Sequence, residues 1–315
     1  MTFLKHVYSE EISPVKYYNF DLTASCYAAP WEYDGKYAYI PLEFDSYFGV
    51  TRACMEESVV KLEVFLTSGN SDLIERALDR AIFILGLKEN LDEFYSLCTN
   101  DPLLDVVKKE FLGIHMRAVP SVWEGLLIGI CQQNASFKQG WRMLFNIRKK
   151  IGQALRIPHS NKIIYTFPSY SRILTKQSLL RECGVGYREE IIIDVAKFFL
   201  EECGDDLESI RGIGQYTARL AKILGERNYG EFPVDRWFAS LLPRVYMNSK
   251  EKLSVRKIEE FAKKRWGKWS GLAAIMITIV TAARPLRKVL EDIEKGKLNP
   301  LPNEPAPLTL WRFSL

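Results

Sequence analysis

The hydrophobic positions in the opening part of the chain follow the short runs typical of strands. Residues 15–20, residues 37–40 and Val59–Leu66 are rich in β-branched and aromatic side chains, which favour extended backbone. Asp34 and Gly35 stand between two aromatic segments, and Asp-Gly is a preferred pair for a tight hairpin turn. This pattern predicts a β-rich domain over residues 1–69.

Beyond residue 70 the apolar period becomes helical. Ser71 is a natural N-cap, and the apolar residues after it recur at helical spacing: Leu73, Ala77, Ala81 and Leu85. The helical pattern continues to about residue 290, with breaks at Pro120, Pro158, Pro168 and Gly204. The tail from Lys295 is proline-rich and extended. It is either a flexible extension or a strap laid back on the body by Trp311 and Phe313.

Composition narrows the class of protein. The 315 residues are 47% hydrophobic, which is enough for a sizeable core. The 43 basic and 39 acidic residues nearly cancel, so a nucleic-acid partner is permitted and its surface must be a local patch. We find no signal peptide and no apolar run of roughly 18 residues that could span a membrane. We therefore expect a cytoplasmic protein without a membrane partner.

The cysteines indicate a reducing compartment. All six are scattered, with no Cys-x-x-Cys pair, and they are Cys26, Cys54, Cys98, Cys131, Cys183 and Cys203. That scatter argues against a zinc site and against a disulfide framework, and it is typical of buried thiols.

Residues 207–237 contain the motif on which the functional interpretation depends. A short apolar turn leads into Arg211-Gly212-Ile213-Gly214, and a second amphipathic run begins at Gln215. Backbone amides around such glycines point out of a helix N-terminus, which makes a phosphate-binding site. A dinucleotide fingerprint would need a third glycine, where Thr217 stands, and a preceding strand. For Gly-x-Gly alone, an ordinary helix-turn-helix remains the simpler interpretation.

The downstream residues Phe232-Pro233-Val234-Asp235-Arg236-Trp237 change that balance. Hairpin, helix and Pro-x-Asp in this order resemble the helix-hairpin-helix DNA glycosylases, the base-excision superfamily in which one essential aspartate follows the hairpin helix. Residues 121–136 resemble the helix that ends in the loop inserted into the gap left by the extruded base. Residues 180–188 resemble a second DNA-facing loop.

The resemblance implies a mostly helical α+β fold in which a small antiparallel β-domain precedes two helical domains. We expect the β-domain over residues 1–69, one helical domain over residues 70–112 and 233–292, the hairpin domain over residues 113–232, and the tail over residues 293–315. DNA and the active site would lie in the cleft between the helical domains.

Asp235 is the candidate catalytic residue. Cleavage of the N-glycosidic bond builds positive charge on the sugar, and one carboxylate can stabilise that charge and orient a water. The alternative is that Asp235 is only the N-cap of the helix that follows. The family pattern favours catalysis.

Tyr216 stands where bifunctional members of the family carry a Schiff-base lysine. Lys222 lies six residues on, about 240° around the helix, and should face away. The sequence therefore predicts hydrolysis by water without lyase chemistry. An aromatic at this position also suits a cationic alkylated base. We expect a base pocket formed by Tyr216, Leu220, Ala274 and Thr278, although alkylpurine enzymes carry a second aromatic where Thr278 aligns.

The remaining contacts are implied by the resemblance. Side chains or backbone of seven residues would meet DNA: Gly212, Gly214, Gln133, Asn134, Tyr187, Arg188 and Arg236. Asn134 would enter the gap in the duplex, although a helix C-cap is its simpler role. Backbone carbonyls of Glu208, Ile210 and Ile213 would hold a monovalent cation. No cysteine follows Cys203, so we expect neither an iron–sulfur cluster nor any required cofactor.

The sequence thus predicts a monofunctional DNA glycosylase that acts on damaged purines, with alkylated bases favoured. One alternative is an 8-oxoguanine or deaminated-base glycosylase of the same fold. Another is a non-enzymatic protein that binds damaged DNA. We expect a monomer whose partner is double-stranded DNA containing a damaged base, in the cytoplasm or, in a eukaryote, the nucleus.

Overall fold

The N-terminal part of the chain forms an antiparallel sheet. The computed structural model describes residues 1–44, 46–201 and 204–315, so Cys203 lies outside the described residues. The strands are β1 (Thr2–Phe3), β2 (Lys5–Ile12), β3 (Ala38–Phe44), β4 (Tyr47–Glu56), β5 (Val59–Leu66), β6 (Ala154–Arg156) and β7 (Ile164–Tyr165). Four of them pair antiparallel in the order β2-β5-β4-β3. A smaller sheet joins β1 in parallel to β6, which pairs with β7.

The strand predictions are confirmed in part. β5 has the predicted bounds, and β3 begins within the predicted residues 37–40. The Asp34-Gly35 turn is confirmed, since Tyr33 bridges to Ala38 and the Asp34 carboxylate accepts the Tyr37 N–H at 2.8 Å. The strand over residues 15–20 is wrong. Asn19 caps a helix there by accepting the Leu22 N–H at 3.0 Å, and a local side-chain cap outweighs β propensity.

Helices make up most of the rest of the chain. They are α1 (Phe20–Ser25), α2 (Ser71–Leu85), α3 (Asp92–Leu97), α4 (Asp105–Glu110), α5 (Val122–Gln132), α6 (Phe137–Lys150), α7 (Tyr170–Thr175), α8 (Arg188–Leu200), α9 (Gln215–Glu226), α10 (Phe238–Tyr246), α11 (Val255–Trp266), α12 (Ser270–Val280) and α13 (Leu286–Glu294). The predicted apolar face of α2 is buried, but its N-cap is Asn70 and not Ser71. The fold is α+β with a small antiparallel sheet, as predicted.

The strands and helices pack around two hydrophobic cores. α2 packs on the sheet, where residues such as Leu62 and Ala77 are completely buried. Most other helices share a larger core that surrounds α5, α9 and α12. α5 and α9 approach backbone to backbone, since a Cβ added at Gly125 would lie 2.6 Å from the Ala221 carbonyl oxygen. This contact fixes the predicted hairpin helix against the predicted base-gap helix.

The C-terminal tail is a strap and not a free extension. The Tyr27 N–H donates to the Pro307 carbonyl at 2.7 Å, and the Trp311 ring meets Tyr33 edge-on at 4.9 Å. Leu308 and Leu310 are buried. We call residues 296–315 the C-terminal strap. It closes over the junction between the N-terminal domain and the helices.

Two further expectations can be compared with the fold. The five described cysteines are free and buried, which agrees with the interpretation as buried thiols. Among the described residues, no helix combines the length and apolar character needed to cross a bilayer.

Candidate active site

The predicted hairpin is a tight turn that leads into α9. Ile210 and Ile213 are buried, and the Ile213 N–H closes the turn on the Ile210 carbonyl at 3.0 Å. Gly212 has φ +86°, and a Cβ there would lie 2.7 Å from the Ile191 side chain, so the fold requires glycine. Gly214 has φ −103° and an added Cβ would meet nothing within 4 Å. The fold therefore has no steric reason for a second glycine.

Gly214 is the N-cap of α9 and offers no side-chain cap. The first amides of a helix have no intrahelical partners and carry the positive end of the helix dipole. Here they stand beside an open, Cβ-free surface. This geometry is what an incoming phosphate oxygen needs.

Asp235 lies between α9 and α10. One carboxylate oxygen accepts the Phe238 N–H at 2.7 Å, and the backbone carbonyl accepts the Ala239 N–H at 2.9 Å. Burial raises the pKa of this carboxyl above its ordinary value, because the backbone hydrogen bonds only partly offset the loss of water. Asp235 therefore caps α10 and also presents a poorly solvated carboxylate. The two interpretations made from the sequence are compatible.

A central cavity of about 590 Å³ opens at this aspartate. Its walls include Asp235, Tyr216, Leu220 and Thr278, so four predicted residues come together. Ala274 does not line it: this residue is buried one turn earlier in α12, where its carbonyl accepts the Thr278 hydroxyl at 2.9 Å. Pockets of several hundred Å³ are large enough for small ligands. The central cavity can hold a purine base.

Aromatic side chains form much of the cavity wall. Tyr27 stacks on Trp141 with ring centroids 5.8 Å apart, and Phe137 packs on the same indole at 5.9 Å. Trp237 donates its indole N–H to the Arg284 carbonyl at 3.1 Å. Burial raises the pKa of Tyr216, and nearby Asp235 raises it further. This phenol remains neutral close to the carboxylate.

The sequence patterns did not predict that these aromatic residues line the cavity. Phe137 and Trp141 are four residues apart at the start of α6, directly after residues 121–136, and Trp237 follows Asp235 by two positions. That spacing places them beside the predicted site and could have revealed them. Tyr27 comes from the distant N-terminal domain, and no local pattern identifies it.

Charged residues of the wall were also missed. Arg148 pairs with Glu32 at 2.7 Å in the buried interior. Arg284 pairs with Asp292 at 2.7 Å and with Glu304 of the C-terminal strap at 3.3 Å. Lys138 lines the cavity from the exposed N-terminal turn of α6, whereas Lys222 does not line it. A lysine is therefore present at the cavity, although not at the position expected for a Schiff base.

The predicted DNA-facing loops lie side by side. We call residues 133–136 the wedge loop and residues 184–188 the Gly-Tyr-Arg loop. The exposed Asn134 donates from its amide to the Tyr187 hydroxyl at 3.3 Å, and Gln133 donates to the Gly212 carbonyl at 3.0 Å. Arg236 is exposed next to Asp235. The wedge loop, the Gly-Tyr-Arg loop and the hairpin are thus brought to one surface.

Arg188 does not lie where the prediction needs it. Only 8% of this residue is exposed, and its guanidinium donates to the carbonyls of Ile130, Val185 and Gln133. Three of its five N–H donors are thus engaged by backbone carbonyls inside the protein. Arg188 therefore belongs to the support of the two loops.

Comparisons with known proteins agree with this arrangement. No family model matches the sequence. A probable N-glycosylase/DNA lyase of Methanothermobacter thermautotrophicus is 25% identical over 62% of this chain and 72% of its own length. A DNA-3-methyladenine glycosylase of Bacillus subtilis is 24% identical over 61% and 67%, respectively.

Among solved structures, the 3-methyladenine DNA glycosylase of Archaeoglobus fulgidus superposes with a TM-score of 0.69. It is 25% identical, and the match covers 86% of this chain and 96% of the other. The hairpin, the aspartate after it and the cavity beside them are thus found in a chain whose relatives and structural neighbours are DNA glycosylases. The relatives and structural neighbours of this chain are thus DNA glycosylases of the helix-hairpin-helix type, as the resemblance predicted.

Proposed function

We propose that the protein is a monofunctional DNA glycosylase that removes damaged purines, with alkylated purines preferred. The observation that carries the proposal is the shared cavity wall of Asp235 and Tyr216. It combines a partly buried carboxylate with an aromatic ring where a nucleophilic lysine would otherwise stand. Bound DNA would present the extruded base to this cavity, because an enzyme cannot reach the glycosidic bond inside a duplex.

Asp235 supplies the chemistry in this proposal. As the bond between C1′ and the base breaks, its electron pair leaves with the base and positive charge develops on the sugar. The free carboxylate oxygen of Asp235 stabilises that charge, while the Phe238 N–H holds the other oxygen in place. Water then adds to C1′ and passes its proton to the Asp235 carboxylate. Low solvation strengthens the attraction between carboxylate and sugar cation.

The aromatic wall favours alkylated purines. A purine methylated at N3 or N7 is cationic, and rings such as Tyr216, Tyr27 and Trp237 can attract it through their faces. Such a base leaves as a neutral molecule, so its departure requires no added proton. Two of the named relatives are 3-methyladenine glycosylases by name.

The second candidate is a glycosylase with lyase activity on an oxidised or deaminated base. It is supported by the name of the Methanothermobacter relative and by Lys138 at the cavity. A purely binding protein is disfavoured, because phosphate contacts alone give no reason for a partly buried carboxylate in the wall of a cavity.

DNA would bind across the hairpin and the wedge loop. Gly212 and Gly214 would let a phosphate approach the amides of α9, and Asn134 would fill the gap left by the extruded base. A monovalent cation on the Glu208, Ile210 and Ile213 carbonyls would help neutralise that phosphate. The Ile210 carbonyl already accepts one N–H and keeps a second lone pair for such an ion.

A panel of duplexes tests the proposal. Each carries one of 3-methyladenine, 7-methylguanine, hypoxanthine, 8-oxoguanine or uracil, and base release is measured with and without alkali. We expect release of a methylated purine, strand breaks only after alkali, and no trapping by borohydride. Release of 8-oxoguanine with trapping would support the second candidate. No release from any duplex would favour the binding protein.

A further inference from the structure

We propose that Arg188 is a positioning residue that locks the wedge loop to the Gly-Tyr-Arg loop, so that the probe for the damaged base is formed before DNA arrives. The inference rests on the proposed function, since it concerns how the same DNA surface extrudes a base. In this proposal Arg188 acts through contacts within the protein and does not itself touch DNA.

The contacts of the guanidinium carry this proposal. Its Nε–H donates to the Ile130 carbonyl at 3.1 Å and Nη1 donates to the Val185 carbonyl at 3.2 Å. Nη2 donates to the Gln133 carbonyl, the first residue of the wedge loop. One buried side chain therefore joins the end of α5, the wedge loop and the Gly-Tyr-Arg loop.

The end of α5 has a specific need for such a group. The last carbonyls of a helix lack intrahelical partners and carry partial negative charge. The last turn of α5 contains no basic residue of its own. Arg188, at the start of α8, supplies that cation from another helix. The planar fork of arginine reaches several carbonyls at once, which a lysine ammonium on one stem does not.

Neighbouring contacts hold the probe in the same arrangement. Asn134 has φ +47°, a left-handed conformation that its surroundings must maintain. Its amide donates to the Tyr187 hydroxyl, and the Tyr187 ring lies 4.6 Å from the Arg188 guanidinium carbon. Gln133 donates to the Gly212 carbonyl and to the Thr217 hydroxyl at 3.1 Å. The wedge loop is thus tied to the hairpin as well.

This arrangement has a consequence for extrusion. A loop that is ordered in the free protein does not lose that conformational freedom on binding, so more of the binding energy opens the duplex. Loss of the Arg188 contacts should therefore weaken extrusion of a paired base. It should affect a base that is already unpaired much less.

The test compares Arg188→Lys with wild type, and Arg256→Lys serves as the control. Lysine keeps the charge, but its compact ammonium does not span the three carbonyls that the planar guanidinium reaches. Arg256 lies on α11, outside the predicted DNA-facing loops, 87% of its side chain is exposed, and among the described residues it pairs with Glu260. Extrusion is measured by the fluorescence of 2-aminopurine placed at the lesion position of a saturated duplex. This readout requires no base release and so is independent of the proposed chemistry.

We expect Arg188→Lys to reduce the 2-aminopurine signal at least threefold when the 2-aminopurine is paired. When it lies opposite a single-nucleotide gap, the signal should change less than twofold. Base release from a paired methylated duplex should fall about tenfold or more. The slope of log Kd against log salt for undamaged duplex should not change, and Arg256→Lys should match wild type throughout.

Two results would overturn the inference. A salt slope reduced by about one would mean that Arg188 contacts a phosphate. Equal loss on paired and gapped duplexes, or wild-type behaviour on both, would mean that the contacts do not position the probe. Absence of base release by the wild type would count against the proposed function alone, because the fluorescence comparison still decides the role of Arg188.

Discussion

The two hairpin glycines provide a sharp test of DNA binding because the fold treats them differently. At Gly212, φ is +86° and a new Cβ would lie 2.7 Å from Ile191. At Gly214, φ is −103° and a new Cβ would point into open space. Gly212→Ala should therefore damage the fold, whereas Gly214→Ala should damage only whatever approaches that open surface.

The magnitudes follow from these geometries. A left-handed alanine costs about 1–3 kcal/mol, and overpacking against Ile191 adds about 1–3 kcal/mol. Gly212→Ala should thus lower the free energy of unfolding by roughly 2–6 kcal/mol. For Gly214→Ala, a poorer N-cap costs about 0.5 kcal/mol. Lower entropy of the unfolded chain offsets that by about 0.4–1 kcal/mol. Its stability should remain close to wild type.

The binding of Gly214→Ala is measured by fluorescence anisotropy on damaged and undamaged duplexes at one fixed salt concentration, beside thermal unfolding. A lost hydrogen bond to a charged phosphate is worth about 1.5–3 kcal/mol, so Kd should rise roughly tenfold to a hundredfold on both duplexes. Wild-type affinity with wild-type stability would refute the phosphate contact. A loss confined to damaged duplex would refute it as well, because phosphate contacts do not read bases.

Four further predictions concern the cavity. Asp235→Asn should abolish base release in single-turnover assays while the Kd for damaged duplex stays near wild type, because the loss falls on the transition state; comparable release rates would exclude Asp235. Burial raises the pKa of Asp235, so its ionised form destabilises the fold above that pKa. Asp235→Asn should then raise the Tm at neutral pH, and this gain should vanish below the unfolded pKa of about 3.9. Because the pKa of Asp235 is raised, base release should fall as the pH drops through a value above the ordinary pKa of an aspartate. Borohydride should not trap the wild type on DNA; if it does, Lys138→Ala should abolish the trapping.

The structural features that the sequence predicts each lie within one contiguous stretch of the chain. Hairpin, α9 and Asp235 follow one another within about thirty residues, and turn chemistry and capping act at that range. The strand β5 and the buried face of α2 likewise carry their own periodicity. The fold class followed from these elements together with the family resemblance.

The parts that were missed depend on contacts between distant segments. Tyr27, Trp141 and Glu304 meet at the central cavity from the N-terminal domain, α6 and the C-terminal strap, and no local pattern joins them. β2 is a charged edge strand without apolar alternation on a buried face, so periodicity could not reveal it. Arg188 was expected at DNA because its loop was recognised, but its carbonyl partners on α5 are visible only in the fold.

Gly214 and Asp235 share a property that argues for a ligand at this surface. The backbone at Gly214 has room for a Cβ, and asparagine at position 235 would cap α10 without burying a charge. Folding alone therefore explains neither the missing side chain nor the carboxylate. Both lie at the ends of the segment formed by α9 and the turn after it, one at an unpaired helix N-terminus and one at the cavity. Positions where local rules are broken without structural gain are expected at functional sites. Under the proposed function, a phosphate at Gly214 and a sugar cation at Asp235 would account for both residues with one bound molecule, a DNA strand.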